Sequence, residues 1–131
     1  MIAKEKLNIL WSLEQTAEKY ADRVAVSDVN QELTWKELVK KAQVIGAELS
    51  EKVQPGNPVP VLLEKSSETL AVMLGIVYAG CFYVPVNPMN PTERLRKIME
   101  KLDPEVIISD EKGKEQLAAV GNGLENKVMG P

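Results

Sequence analysis

The sequence contains no histidine and only one cysteine, Cys81. Without histidine, neither a Ser-His-Asp nor a Cys-His catalytic arrangement can be built. A zinc site is also disfavoured, because proteins hold zinc mainly through cysteine and histidine. One cysteine cannot form an internal disulfide, and its position in an apolar run indicates a buried, unreactive thiol.

Long apolar runs and an excess of positive charge are missing as well. No window approaches the roughly 18 consecutive apolar residues of a membrane span. The opening residues, MIAKEKLNIL, lack the apolar region and cleavage site of an export signal, so a cytoplasmic location is expected. The net charge is -3, from 16 Lys and Arg against 19 Asp and Glu. Since binding phosphates needs a basic patch, we expect neither a nucleic-acid nor a membrane partner.

The glycine-rich loops that bind nucleotide phosphates do not occur in the sequence. Neither G-x-x-x-x-G-K-[ST] nor G-x-G-x-x-G is present. GNG at 121–123 follows a predicted helix and has Asn126 where a third glycine would stand, so a loop is expected there. GKE at 113–115 lacks the Ser or Thr and the preceding glycine. A free-standing nucleotide-binding protein is therefore the weakest functional interpretation.

What the chain does have is an ordinary globular composition, with 44% hydrophobic and 27% charged residues. Its 131 residues suffice for one domain with a hydrophobic core. Apolar spacing predicts a helix over residues 8–20 and a hairpin of strands 24–27 and 32–35. A second helix begins at TWKEL, where Thr34 and Glu37 have the spacing of a capping box.

From about residue 59 the pattern alternates strand–helix–strand–helix–strand. The strands are VPVLLE, CFYVPV and EVIISD, and the helices between them are SSETLAVMLGIVYAG and NPTERLRKIMEKL. Such an order predicts an α/β fold with a small parallel sheet and flanking helices, preceded by the helix, hairpin and helix. CFYVPV is expected to be covered on both faces, because its apolar run is continuous. KGKEQLAAV predicts a short last helix, and GNGLENKVMGP is either a loop or the approach to another strand.

Particular residues predict where these elements begin. Pro60 cannot donate a hydrogen bond, so regular strand pairing should begin at Val61, or the strand should be bulged or at an edge. Ser66 or Ser67 is expected to cap the third helix, and Gly80 suits the position just after its end. Asn90 is expected to cap the fourth helix, with a proline at its first position.

Two polar groups follow predicted strands and could bind a ligand, but each has a simpler interpretation. Ser66, Ser67 and Thr69 could hold an anion at a helix N-terminus, although ordinary capping also explains them and is more common. Asp110 and Glu111 lie at a strand end, where ligands bind in open α/β sheets, although solvated turn residues are common there. The sequence therefore assigns no catalytic, cofactor-binding or metal-binding residue.

Four segments follow one another along the chain: VAVSDVNQELTWKEL, VQPGNPVPVLLEKSSE, LAVMLGIVYAGCFYVPVNPMNPTERL and EVIISDE. In this order they resemble the N-terminal part of the adenylate-forming enzymes. That family includes adenylation domains of nonribosomal peptide synthetases, D-alanine–carrier-protein ligases, acyl-CoA synthetases and luciferases. The third segment is the most specific and is typical of amino-acid-activating members. Its matching residues are Gly80, Tyr83, Val84, Pro85, Pro88, Pro91, Glu93, Arg94 and Leu95.

The departures from the family pattern are few. Trp35 replaces a tyrosine, Asn57-Pro58 replaces Gly-Asp, Pro60 replaces a small residue, and Asn87 replaces an aspartate. None of these falls on a residue that the family uses for chemistry, so they affect strand geometry rather than membership.

The resemblance implies the incomplete N-terminal portion of a larger adenylation domain. Residues 1–57 would be a helix–hairpin–helix region, 58–111 a parallel α/β unit, and 112–131 a helix and polar tail. The family's phosphate loop, substrate pocket and catalytic lysine would come later, so the chain alone is expected to be inactive. The parent would use ATP and Mg to activate a carboxylic acid as an acyl-AMP, and the acid is expected to be an amino acid. It would then transfer the acyl group to the phosphopantetheine thiol of a carrier protein.

Expected partners are the remainder of the adenylation domain and, for the parent, the carrier protein. A truncated sheet would also expose a face that favours self-association. Two alternatives remain open: a stand-alone, non-catalytic α/β interaction module, and a fragment of an acyl-CoA synthetase.

Overall fold

The computed structural model describes residues 4–29, 31–63 and 66–130, which form a parallel sheet between two layers of helices, with a small hairpin beside one layer. The predicted α/β class is confirmed. The helices are α1 (Lys4–Lys19), α2 (Trp35–Ser50), α3 (Ser67–Tyr78), α4 (Thr92–Leu102) and α5 (Glu111–Val120). The strands are β1 (Val24–Ser27), β2 (Glu32–Thr34), β3 (Pro58–Leu62), β4 (Phe82–Pro85), β5 (Ile107–Ser109) and β6 (Val128–Met129).

The region before the sheet forms as its sequence predicts, with small differences at the boundaries. The first helix begins at Lys4 rather than at residue 8. β1 and β2 pair antiparallel, with an irregularity between Val24 and Val26. β2 ends at Thr34, because this residue is already the N-cap of α2. The predicted hairpin and the helix that follows it are therefore confirmed.

The capping box of α2 is complete. The Thr34 hydroxyl accepts a hydrogen bond from the Glu37 N–H (3.2 Å), and the Thr34 N–H donates to the Glu37 carboxylate (2.9 Å). The bond from the Thr34 N–H also lowers the pKa of Glu37 below its ordinary value. Two N–H groups that the first turn of a helix leaves without partners are thus satisfied reciprocally.

Replacing Thr34 by alanine is expected to lower the free energy of unfolding by about 1 kcal/mol, the usual effect of losing a helix cap. Thr92 supplies a matched control, because it begins α4 and the N-cap position before it, Pro91, makes no side-chain capping bond. Thr92→Ala should change stability by less than about 0.5 kcal/mol. Urea unfolding measures both variants, and equal losses would contradict the role given to the Thr34 hydroxyl.

The sheet has the strand order β4-β3-β5-β6, and every neighbouring pair is parallel. β6 lies in the segment that the sequence left open as a loop or the approach to a strand. The structure shows a short 3-10 helix (Leu124–Lys127) that leads directly into β6 beside β5.

The prolines of β3 fit the sheet because their backbone nitrogens point away from β4. The N–H groups of Phe82 and Val86 donate to the carbonyls of Asn57 (3.3 Å) and Val61 (3.0 Å). The backbone N–H and C=O groups of the odd-numbered residues in β3 therefore point toward β4. The backbone nitrogens of Pro58 and Pro60, which carry no hydrogen, point to the other side, where pairing with β5 begins only at Val61. The predicted start at Val61 is thus correct for β5 and wrong for β4, to which pairing extends back to Pro58. The predicted strand also included Glu64, which lies outside the described residues.

Hydrophobic side chains cover the sheet on both faces. One cluster joins β3 and β5 to α2 and α3, and includes Val61, Ile76 and Ile108. The other joins the sheet to α4 and α5, and includes Leu62, Leu95 and Leu117. A smaller third cluster packs Leu33 of the hairpin against α2 and α3. Burial of these side chains, each worth about 1.5–3 kcal/mol, holds the layers together.

The expectation that CFYVPV would be covered on both faces is wrong. Among the described residues, β4 is an edge strand that pairs only with β3, and the side chains of Phe82 and Tyr83 are 43% and 42% exposed. The helices pack mainly over β3 and β5 at the centre of the sheet. A continuous apolar run does not distinguish an edge strand from a central one.

The ends of α3 and α4 give one confirmed and one corrected prediction. Gly80 follows α3 with φ of 78°, in the left-handed conformation expected at this position. Asn90, however, is not the N-cap of α4, because that position belongs to Pro91. Asn90 instead closes a turn, in which its N–H donates to the Asn87 carbonyl (3.1 Å).

Candidate functional site

The edge at which all four parallel strands end is the candidate functional site. The carboxyl ends of β3, β4, β5 and β6 point the same way because every pairing between them is parallel. Ligands of open α/β sheets bind beyond this edge. The two polar groups that the sequence singled out, around Ser67 and Asp110, both lie here.

The N-terminus of α3 is already occupied by a carboxylate of the same chain. One oxygen of Asp28, in the hairpin turn, accepts hydrogen bonds from the Ser67 N–H and the Ser67 hydroxyl, both at 2.8 Å. The Ser66 hydroxyl accepts from the Thr69 N–H at 3.2 Å. The capping interpretation of these residues is therefore supported over the anion site, because an added anion would face the Asp28 carboxylate.

Asp28 is the residue of this region that the sequence did not identify. The stretch DVNQ indicated only a polar turn, and in the turn the other carboxylate oxygen of Asp28 accepts from the Gln31 N–H (2.9 Å). Its second contact joins residues 39 positions apart in the chain. No local pattern could have predicted that contact.

Asp110 also has a structural role. Its carboxylate accepts a hydrogen bond from the Gly113 N–H (2.8 Å) and thereby caps α5. Glu111, its neighbour, is exposed. The pair fits the interpretation as solvated residues that begin a helix, and GKE at 113–115 lies within the first turns of that helix.

A groove of about 480 Å³ lies between α3 and the turn that follows β4. Asn87 in this turn is a structural residue, since its carboxamide oxygen accepts from the Met89 N–H (2.9 Å). Among the described residues, the groove wall contains no side chain that could act as an acid, a base or a nucleophilic thiol. Its apolar lining can bury apolar groups. Its lining residues are Val61, Leu63, Thr69, Met73, Pro85, Val86, Asn87, Pro88 and Met89.

The tyrosine with a strongly shifted pKa is also structural. Burial raises the pKa of Tyr78 to about 12, and its hydroxyl donates a hydrogen bond to the Glu14 carboxylate (2.7 Å). Gln43 donates to the same carboxylate at 3.3 Å, so the three side chains join α1, α2 and α3. A phenol with such a pKa stays protonated at neutral pH and cannot serve as a general base.

The single cysteine and the glycines of the GNG segment have structural positions. Cys81 is fully buried, and its thiol donates to the Gln54 carbonyl (3.4 Å). Gly121 and Gly123 adopt positive φ in the turn before the 3-10 helix. Within the described ranges, no group of three or more Cys, Asp or Glu side chains is placed to hold a metal ion. Nor does any described helix combine the length and apolar character that crossing a bilayer requires.

Comparisons with known proteins agree on one family. The sequence profile described as "AMP-binding enzyme" matches residues 13–129. Bacitracin synthase 1 of Bacillus licheniformis is 37% identical over 107 residues, which cover 81% of this chain and 2% of that protein. The resemblance to adenylate-forming enzymes, and to the adenylation domains of nonribosomal peptide synthetases, is confirmed.

Solved structures share the fold. VinN in complex with 3-methylaspartate superposes with a TM-score of 0.84 and 27% identity, over 93% of this chain and 34% of VinN. The AMPPNP-bound nonribosomal peptide synthetase FmoA3 gives a TM-score of 0.79 and 26% identity, over 92% of this chain and 13% of FmoA3. The chain thus spans about a third of VinN and a much smaller share of the synthetases. With nearly its whole length matched by the family profile and by these folds, the chain belongs to the AMP-binding enzyme family.

Proposed function

We propose that this chain is the N-terminal scaffold of an ATP-dependent, adenylate-forming ligase. The family match over residues 13–129 carries the proposal. The parent enzyme activates a carboxylic acid, by preference an amino acid, as an acyl-AMP. It then passes the acyl group to the phosphopantetheine thiol of a carrier protein in the cytoplasm. The amino-acid preference rests on the segment from Gly80 to Leu95, whose spacing is typical of amino-acid-activating members.

The described residues fit a scaffold better than a nucleotide site. The helix N-terminus at the carboxyl edge of the sheet is filled by the Asp28 carboxylate, which would repel a phosphate. The capping residues Ser66 and Asp110 are engaged with their own helices. We therefore assign no ATP or Mg site to the described part of this chain and assign the activation chemistry to the rest of the parent.

The isolated chain should not catalyse amino-acid-dependent exchange of pyrophosphate into ATP. The expected exchange with ATP, Mg and each of the common amino acids equals that of a reaction without protein, because the described residues supply no phosphate site and no catalytic lysine is assigned to them. Radiolabelled pyrophosphate measures this directly. Exchange that depends on both the chain and one amino acid would overturn the scaffold assignment.

A chimera tests whether the chain can serve as such a scaffold. The matched third of VinN is replaced by this chain, and binding of 3-methylaspartate is measured by calorimetry. We expect a Kd within about threefold of that of VinN, a difference of about 0.6 kcal/mol, because a scaffold should leave the ligand pocket unchanged. VinN without its matched third is the control. A chimera that folds, by circular dichroism, but no longer binds 3-methylaspartate would contradict the proposal.

A further inference from the structure

An apolar surface lies along β4, on the face of the sheet that α2 and α3 cover elsewhere. Val84 packs into the hydrophobic cluster of α4 and α5, so the alternating residues Tyr83 and Pro85 point to the opposite face. The groove between α3 and the turn after β4 continues this face through Met73 and Met89. We call Met73, Tyr83, Pro85 and Met89 the β4 surface. Tyr83 is 42% exposed and Met89 is 75% exposed.

The β4 surface differs in charge from a larger groove, which lies between α2, α3 and β6. Among the described residues, no charged side chain lines the groove beside β4. The groove between α2, α3 and β6 includes Lys41 and Glu68, which form an ion pair at 3.7 Å, as well as three further charged residues. Because the cores of protein interfaces are depleted in charged residues, the β4 surface is better suited to being covered by another protein segment.

The hydrogen-bonding groups of β4 limit what can cover it. The N–H groups of Phe82 and Val86 point toward β3, so the backbone groups of Tyr83 and Pro85 point away from the sheet. Proline has no N–H to donate. On the outer edge, Tyr83 therefore has both a backbone N–H and a C=O, whereas Pro85 has only a C=O. Such an edge cannot form a long run of strand hydrogen bonds, which disfavours edge-to-edge pairing with a second copy. Apolar side chains, rather than a strand, are the suitable covering.

We propose that the β4 surface is where the remaining part of an adenylate-forming domain packs onto this chain. The inference rests on the proposed function and names the face of the scaffold involved. In VinN the matched region is 34% of the chain, so most of the domain lies outside the match and must be joined to it. A neutral, apolar and exposed surface matches an interface inside one domain, which is packed like a hydrophobic core.

Thiol labelling in the VinN chimera tests this contact. Met89→Cys places a reporter on the β4 surface, and Val44→Cys places one on the charged groove, where Val44 is 59% exposed. The natural thiol of Cys81 is fully buried and adds no background. In the isolated chain both new thiols should react rapidly. In the chimera, labelling at position 89 should slow by at least about 100-fold, and labelling at position 44 should stay within about threefold, because only a covered site must open before it reacts.

Amide hydrogen exchange at Tyr83 in the unsubstituted chimera is a second measurement that needs no cysteine, and it should slow to a similar extent. Rapid labelling at position 89 in a chimera that binds 3-methylaspartate overturns this inference and leaves the proposed function standing. Protection at position 89 that appears in the isolated chain and grows with its concentration assigns the surface to a second copy and also overturns it. A folded chimera that does not bind overturns the proposed function, and this inference with it.

Discussion

Replacing Asp28 by alanine is expected to lower the free energy of unfolding by about 3 kcal/mol, more than the loss of an ordinary helix cap. The substitution removes the acceptor of two hydrogen bonds at the N-terminus of α3, from the Ser67 N–H and the Ser67 hydroxyl. Ser67 has no exposed surface, so the substitution takes the acceptor from two donors that are buried in the folded chain. The negative charge that complements the N-terminus of α3 is lost as well.

A double-mutant cycle separates this contact from the local turn. Ser67→Ala removes the buried hydroxyl, so in its presence Asp28→Ala should cost about 1 kcal/mol less, and urea unfolding of the four proteins gives that coupling. Asp110→Ala is the matched control, because Asp110 is an exposed carboxylate that caps its own helix at 2.8 Å. It should cost about 1 kcal/mol. Strict additivity of Asp28→Ala and Ser67→Ala would show that the hydrogen bond from the Ser67 hydroxyl to Asp28 contributes nothing to stability.

Features that depend on neighbours in the sequence could be predicted well. The capping box of Thr34 and Glu37 and the cap at Ser66 join residues three apart in the chain. The alternation of strands and helices from β3 onward indicated a parallel sheet because such connections leave few other topologies. These predictions succeed because the physics that determines them acts within one or two helical turns.

Features that depend on distant residues could not be predicted. The apolar run of β4 predicted burial, but exposure depends on which strands lie beside it, and in the part of the chain that the structure describes β4 pairs on one side only. The N-cap of α4 is a local exception: Asn90 had a suitable side chain, yet its N–H closes a turn on the Asn87 carbonyl and Pro91 takes the N-cap position. The contact between Asp28 and Ser67 spans the hairpin, α2 and β3, so no spacing rule applies to it.

At the candidate site, too, features set by neighbouring residues could be predicted and features set by distant residues could not. The sequence placed Ser66, Ser67 and Asp110 after predicted strands. It gave capping as the more common role of the serines and a solvated turn as that of Asp110, whose capping of α5 it did not predict. What it could not show is that the carboxyl edge carries a groove beside β4 whose described lining residues are uncharged, because the groove forms where α3 and the turn after β4 meet. This surface is visible only once the strand order is known.

Replacing Gly75 by alanine is expected to lower the free energy of unfolding by about 2 kcal/mol. α2 and α3 cross where Gly46 and Gly75 face one another. A Cβ atom on Gly75 would lie 2.7 Å from Cγ2 of Ile45, 2.8 Å from its Cβ and 3.0 Å from the Ala42 carbonyl oxygen. A rotation of the Ile45 side chain cannot relieve the contacts with its Cβ and with backbone, so the helices must move apart.

The size of this loss is the difference between two opposing effects. Overpacking a core costs up to about 3 kcal/mol, and alanine is about 1 kcal/mol better than glycine inside a helix. Gly130→Ala is the control, because no atom of the described residues other than its chain neighbours lies within 4 Å of the added Cβ, and it should change stability by less than about 0.5 kcal/mol. Urea unfolding measures both. If Gly75→Ala were as stable as the unsubstituted chain, α2 and α3 could separate at little cost, and close approach at Gly75 would not be what sets the spacing of this helix layer.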